Sequence, residues 1–171
     1  MKLYGSKVPV IAMDIVRTLT SDGDIETSNP REMEADVESV LREYLRMERA
    51  LTERAKDRLE AIGGTRQDLG KYKKALAEQH NVGTGSEAIS YILNQLLAIF
   101  MRSPHVDEIF SEDDVIRRKC RRILERHMSE DEAIDREVRE KIKNIQEGTK
   151  TWEIEYARVM EQVKRKHGVS E

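Results

Sequence analysis

From Pro30 to Ile62 the chain runs 33 residues with no glycine and no second proline. Met33, Val37, Val40, Tyr44, Met47, Leu51, Ala55 and Leu59 step through this stretch by threes and fours. That spacing lays an apolar stripe along one face of an α-helix. Asn29 can cap the start, Pro30 suits the first helical position, and Glu32 can reach back to the cap amide. Gly63-Gly64 marks the stop. One helix of this length spans about 50 Å at 1.5 Å per residue. It needs long neighbours, packed at the shallow angles of helix bundles.

The rest of the sequence supplies such neighbours by repeating itself. Val8, Ile11, Ile15, Leu19 and Ile25 match Ile89, Ile92, Leu96, Phe100 and Val106 at an offset of 81. After an insertion of two, Val37, Val40, Leu41 and Leu45 match Cys120, Ile123, Leu124 and Met128 at 83, as Ala50, Leu51, Ala55 and Leu59 match Ala133, Ile134, Val138 and Ile142. Gly64-Thr65 and Tyr72 match Gly148-Thr149 and Tyr156 at 84. Fixed periods of this kind mark internal repeats. The expected organisation is two similar helical lobes, 1–84 and 85–171, packed together.

Punctuation divides each lobe into helices. Asp22-Gly23-Asp24 ends a first helix over 7–20, and Thr65 with Asp68 starts a third through Tyr72, Ala75 and Leu76. In the second lobe Thr84-Gly85-Ser86-Glu87 opens a helix that Ser103-Pro104 ends. Ser111 with Asp114 reads as the next start, and a last helix covers 149–167. Ser129 with Glu132 has the capping-box pattern in mid-helix, so a break and a continuous helix both remain open there. Strand signals are nearly absent. The fold class is therefore all-α: two tandem lobes of long antiparallel helices, bundle-like, forming an elongated monomer or a helix-mediated dimer.

Composition agrees. Charged residues make up 37% and aromatics 5%, while 30 basic side chains nearly balance 33 acidic ones. This disfavours a β-sandwich, a disulfide scaffold and a polybasic tail. A lone Cys120 forms no internal disulfide, the first residues lack a signal-peptide run, and the most apolar stretch, 86–101, is too short for a bilayer. A cytoplasmic location, with no membrane contact, is expected.

Met1-Lys2-Leu3, Lys7-Val8-Pro9-Val10-Ile11-Ala12, Ile15-Val16 and Leu19, followed by Val40-Leu41-Arg42-Glu43-Tyr44-Leu45 and Glu48, resemble a bacterial family, domain of unknown function family 507. The likeness covers the whole chain and is strongest over residues 1–62. It implies a helical, cytoplasmic, bacterial protein. It brings no activity and no site residue.

No catalytic constellation emerges from the residues, and no cofactor or small-molecule substrate is indicated. None of His80, His105, His127 and His167 has a glutamate three residues before it, the spacing of di-iron bundles. All four read as surface or helix-end histidines. Cys120 has basic neighbours that would activate a thiol, but its place on the apolar stripe reads as a small buried side chain. Gly63-Gly64-Thr65 lacks the lysine of a phosphate loop and reads as a turn.

One local feature stands out. Arg117, Arg118, Arg121, Arg122 and Arg126, with Lys119, give the stretch 113–128 six basic residues against three acidic. The matching stretch 31–46 has three basic against five acidic. Arg118, Arg122 and Arg126 stack along one helix face. The row can be a solvated face, a partner for an acidic helix in this chain or another, or a phosphate-binding strip on nucleic acid. No aromatic lies among the arginines to stack on bases. The expected function is a non-enzymatic interaction or scaffold module, with a protein partner or self-association. Nucleic-acid or ribosome-associated binding through the five arginines is the alternative.

Overall fold

The computed structural model describes residues 2–167, apart from the Arg66 side chain. The elements are α1 (Val8–Ser21), β1 (Ile25–Glu26), α2 (Pro30–Ile62), α3 (Leu69–Gln79), α4 (Ala88–Arg102), β2 (Glu108–Ile109), α5 (Asp113–Lys141) and α6 (Lys150–Lys166). The fold is all-α, with the two short strands as its one sheet among the described residues.

The long helix forms where its pattern places it. The Asn29 side chain accepts a hydrogen bond from the Glu32 amide at 3.4 Å, Pro30 opens the helix, and Gly63 closes it at φ 67°. That positive φ suits glycine, which carries no Cβ to clash. The Glu32 carboxylate does not complete a capping box; the Asn29 amide donates to Thr27 Oγ1 instead. α5 is continuous through Ser129, whose hydroxyl donates to the Arg126 carbonyl rather than capping a new helix. Ser111 does not cap α5 either. Glu112 precedes the helix without a side-chain cap bond, and the Ser111 hydroxyl goes to Asp24.

Four helices form a ring. α1 packs on α2, α2 on α4, α4 on α5, and α5 on α1. The first helix of each half thus touches the long helix of both halves. One apolar core runs through the ring and across residues 84 and 85, with Phe100, Leu19, Leu41, Leu96 and Leu124 fully buried within it. Each side chain of this size stabilises the fold by about 1.5–3 kcal/mol. α3 and α6 lie against the far ends of α2 and α5. Under α6 sits a smaller cluster of Ile134, Val138, Ile142, Val159 and Val163.

Burial follows the offsets. Val8, Ile11, Ala12, Ile15, Val16 and Leu19 are buried, and so are the six α4 residues 81 positions later. Met33, Val37, Leu41, Tyr44, Leu51, Ala55 and Leu59 are buried, as are Ile116, Cys120, Leu124, His127, Ile134, Val138 and Ile142, 83 positions later. The change of offset falls in the loops after α1 and α4. There Ile25 faces Ile109 across an antiparallel ladder, and Glu26 faces Glu108.

Candidate functional site

The strands are held by a reciprocal clasp. The Ser111 hydroxyl donates to Asp24 Oδ1 at 2.7 Å. Across the ladder, the Ser28 amide and hydroxyl donate to the two carboxylate oxygens of Asp107 at 2.5 and 3.3 Å. Asp24 is 3% exposed, whereas Asp107 is exposed. Lys119 on α5 adds a charge to the buried side, with Nζ 2.6 Å from both Asp22 and Asp24. Burial alone would raise the Asp24 pKa, but the bonds from Lys119 and Ser111 outweigh it and hold the carboxyl below its usual range.

The arginines of α5 reach to both of its ring neighbours, and most are engaged. Arg117 donates to Asn94 at 2.7 Å, Arg121 reaches Ser90 and Glu125, and Arg118 pairs with Asp114 one turn back. Arg126 reaches Asp14 on α1 at 2.9 Å. Arg122 is exposed and has no partner among the described residues. Exposed pairs of this kind contribute about 0–1 kcal/mol each, so they tune the surface more than they hold the fold. The acidic partners come from α1 and its following loop as well as from α5 itself.

Beneath this face lies a polar node. His127 is 6% exposed, and its Nε2 sits 2.7 Å from Asp14 Oδ2. One turn on, Asp131 is 3% exposed, with Oδ1 3.9 Å from the Lys7 ammonium. Lys7 also reaches Glu130 at 3.5 Å. His127 Nδ1 and Asp131 Oδ2 are buried without hydrogen-bond partners among the described residues. Burial raises the Asp131 pKa, against the lowering pull of Lys7, Lys164 and His127. Below it the Tyr156 hydroxyl donates to Asp135, and burial pushes the neighbouring Tyr4 phenol up to about 12. The node ties α1 to α5 through Asp14 and His127, and the turn before α1 to α5 through Lys7 and Asp131.

His127 is thus not the surface histidine its local sequence suggests. Its stripe position supplies the missing signal, because 83 residues earlier stands buried Tyr44. His167 is a helix-end residue and pairs with Glu137 at 2.7 Å, and exposed His80 lies 3.2 Å from Arg54. Glu137 is held down to about 2, first by His167 and then by Lys166. Cys120 is buried and free, and desolvation pushes its thiol up to about 12 despite the arginines beside it. Gly63-Gly64-Thr65 is a turn in which the Thr65 amide and hydroxyl both bond to Asp68.

Among the described residues, no group of three or more His, Cys, Asp or Glu side chains is placed to hold a metal ion. No helix there is long and apolar enough to cross a membrane. A comparison with curated proteins finds no match. A family model described as "Protein of unknown function (DUF507)" matches residues 1–169, and the chain belongs to that family.

Proposed function

We propose that the protein is a non-enzymatic interaction module, built as a tandem duplication whose halves share one core, and that it binds another protein at the clasp end of the ring. The observation that carries this reading is Phe110. It follows β2 directly and is 59% exposed, while its amide is fixed by a 2.8 Å bond to the Asp24 carbonyl. Beside it lies a shallow hollow lined by Thr20, Gly23, Ile25, Thr27 and Pro30. Aromatic residues, Phe included, and Met are enriched at the cores of protein interfaces. Met101, 73% exposed at the end of α4, adds apolar surface.

The test is a quantitative pull-down from the native host with wild type and Phe110→Ala. Wild type is expected to retain a stoichiometric protein partner that the variant loses. Equal retention by both, or by neither, overturns the reading.

Nucleic-acid binding is the second reading, supported by Arg122 standing outward without a carboxylate between Arg118 and Arg126. Against it, Asp14, Asp114 and Glu125 already offset most of the row. If it is right, RNA or DNA is retained at low salt, and replacing Arg118, Arg122 and Arg126 with Glu abolishes retention.

A further inference from the structure

The hollow beside Phe110 has a volume of about 430 Å³, and Glu26 stands in its wall together with Ile25 and Pro30. Alternation along the ladder explains the grouping. Ile25 and Ile109 pack on the core, so Glu26 and Glu108, one step along, turn outward, and both are exposed. Phe110 lies two residues beyond Glu108, on the same outward side, and its amide bond to the Asp24 carbonyl continues the ladder.

The two glutamates gain nothing from the fold. Residues directly opposite in a ladder have Cβ atoms about 4.5–5.5 Å apart, and like charges placed there repel. Neither Glu26 nor Glu108 has an ion-pair or side-chain hydrogen-bond partner among the described residues. Their acidic neighbours are accounted for. Glu32, Asp113 and Asp114 sit in the first turns of α2 and α5, where a negative charge suits the helix dipole. Asp22 and Asp24 hold Lys119.

The charge is regional as well as local. Residues 22–36 carry six acidic side chains against one basic, and residues 102–114 carry five against one, in a chain of net charge −3. These are the two segments that the clasp ties together. The end of the ring around Phe110 is therefore strongly negative, while the rest of the chain is net positive. An apolar hollow with an acidic wall repels phosphate and favours a cation. Arginine suits it better than lysine, because one planar guanidinium has donors for two carboxylates and can lay its face on an aromatic ring.

We propose that the clasp end takes an arginine-bearing segment of another protein, its guanidinium between Glu26 and Glu108 and a neighbouring apolar side chain in the hollow against Phe110. This names the chemistry of the partner and rests on the protein-binding reading.

The test titrates two synthetic peptides into isotope-labelled full-length protein. One alternates arginine with leucine, and the other has citrulline, an uncharged isostere, at each arginine. The arginine peptide is expected to shift the Glu26, Glu108 and Phe110 amides saturably at about millimolar concentration, about tenfold more tightly than the citrulline peptide, and more weakly as salt rises. Phe110→Ala, and the double variant Glu26→Gln with Glu108→Gln, should each weaken binding about tenfold. Relief of the repulsion keeps the unfolding midpoint of the double variant at or above that of wild type, so lost binding there is not lost folding. Equal affinity for the two peptides, undiminished affinity in either variant, or no saturation overturns the proposal. Dimers seen by light scattering that Phe110→Ala abolishes assign the face to a second copy and overturn it too. In the pull-down, a partner lost by Phe110→Ala but kept by the glutamine double variant overturns the arginine inference and leaves the protein-binding reading standing. A partner kept by all three proteins, or by none, overturns both.

Discussion

Residues 44 and 48 on α2 hold the same places along their helix, at the offset of 83, as residues 127 and 131 on α5. Around His127 and Asp131 the space is filled by a node that Lys7 completes. Around Tyr44 and Glu48 there is a cleft. The difference traces to the turn before the first helix of each half. At the offset of 81, Lys7 corresponds to Ala88, and Ala88 lines the cleft. A long cation fills one half; a methyl group leaves the other open. The clasp differs in the same way, since Asp24 is buried under Lys119 while Asp107 lies exposed and Asp36, the counterpart of Lys119, accepts a bond from Ser103. At matched offsets, changed side chains leave a structural tie on one side and an open cleft on the other.

The comparison breaks most visibly if the halves unfold separately. Leu41→Ala and Leu124→Ala are each expected to cost about 3 kcal/mol by urea denaturation, within a single transition detected alike by fluorescence and circular dichroism. Two transitions, each sensitive to one variant, would contradict the shared core.

Next comes the clasp. Asp24→Ala should cost about 1–3 kcal/mol at neutral pH, because it leaves the Ser111 hydroxyl without its acceptor and Lys119 with Asp22 alone, while exposed Asp107→Ala costs less than about 1 kcal/mol. The depressed pKa of Asp24 gives the sign of the pH effect. Its contribution is present above the unfolded carboxyl value of about 4 and fades as pH falls through the lower folded value. The Asp24→Ala penalty should therefore shrink in acid.

Lys7→Ala sharpens the contrast between node and cleft, at about 2 kcal/mol near neutrality. Asp131 shifts the opposite way to Asp24. With its folded pKa raised, the native state holds the proton more tightly, so stability is greatest below about pH 4 and falls as pH rises toward the folded value. Without Lys7 that fall deepens, so the penalty should grow with pH, and adding Asp131→Asn should recover most of it. A pH-independent penalty in the unfolding midpoint would show that Lys7 acts through packing alone. Smallest of all, Arg122→Glu should change stability by less than about 0.5 kcal/mol, since its exposed side chain has no ion-pair or hydrogen-bond partner among the described residues.

The helices were legible because their signals are local. Asn29-Pro30 and Gly63 bound α2 at the residues they occupy. Ser129-Glu132 misleads because a capping box states a preference for an end, and the stripe from Leu124 through Ile134 buries on both sides of it, overriding that preference. Ser111 reads as a cap because its real acceptor, Asp24, lies 87 residues away. His127 is hidden for the same reason, with Asp14 113 residues away. Of the arginines, the local pairs Arg118–Asp114 and Arg121–Glu125 could be read from spacing, whereas Arg126–Asp14 needed the ring. The cleft draws on five separate parts of the chain, and no single stretch carries its pattern.

The ring order also sets a timetable. α1 must meet α5, and α2 must meet α4, so neither helix of the first half can finish packing until the second half exists. A chain made from its N-terminus spends roughly half of its synthesis with those two apolar faces uncovered. Closing the ring needs the α1–α5 and α2–α4 contacts, both of long sequence separation, and should be slower than formation of the helices themselves. The nascent chain, more than the finished bundle, is the species exposed to aggregation.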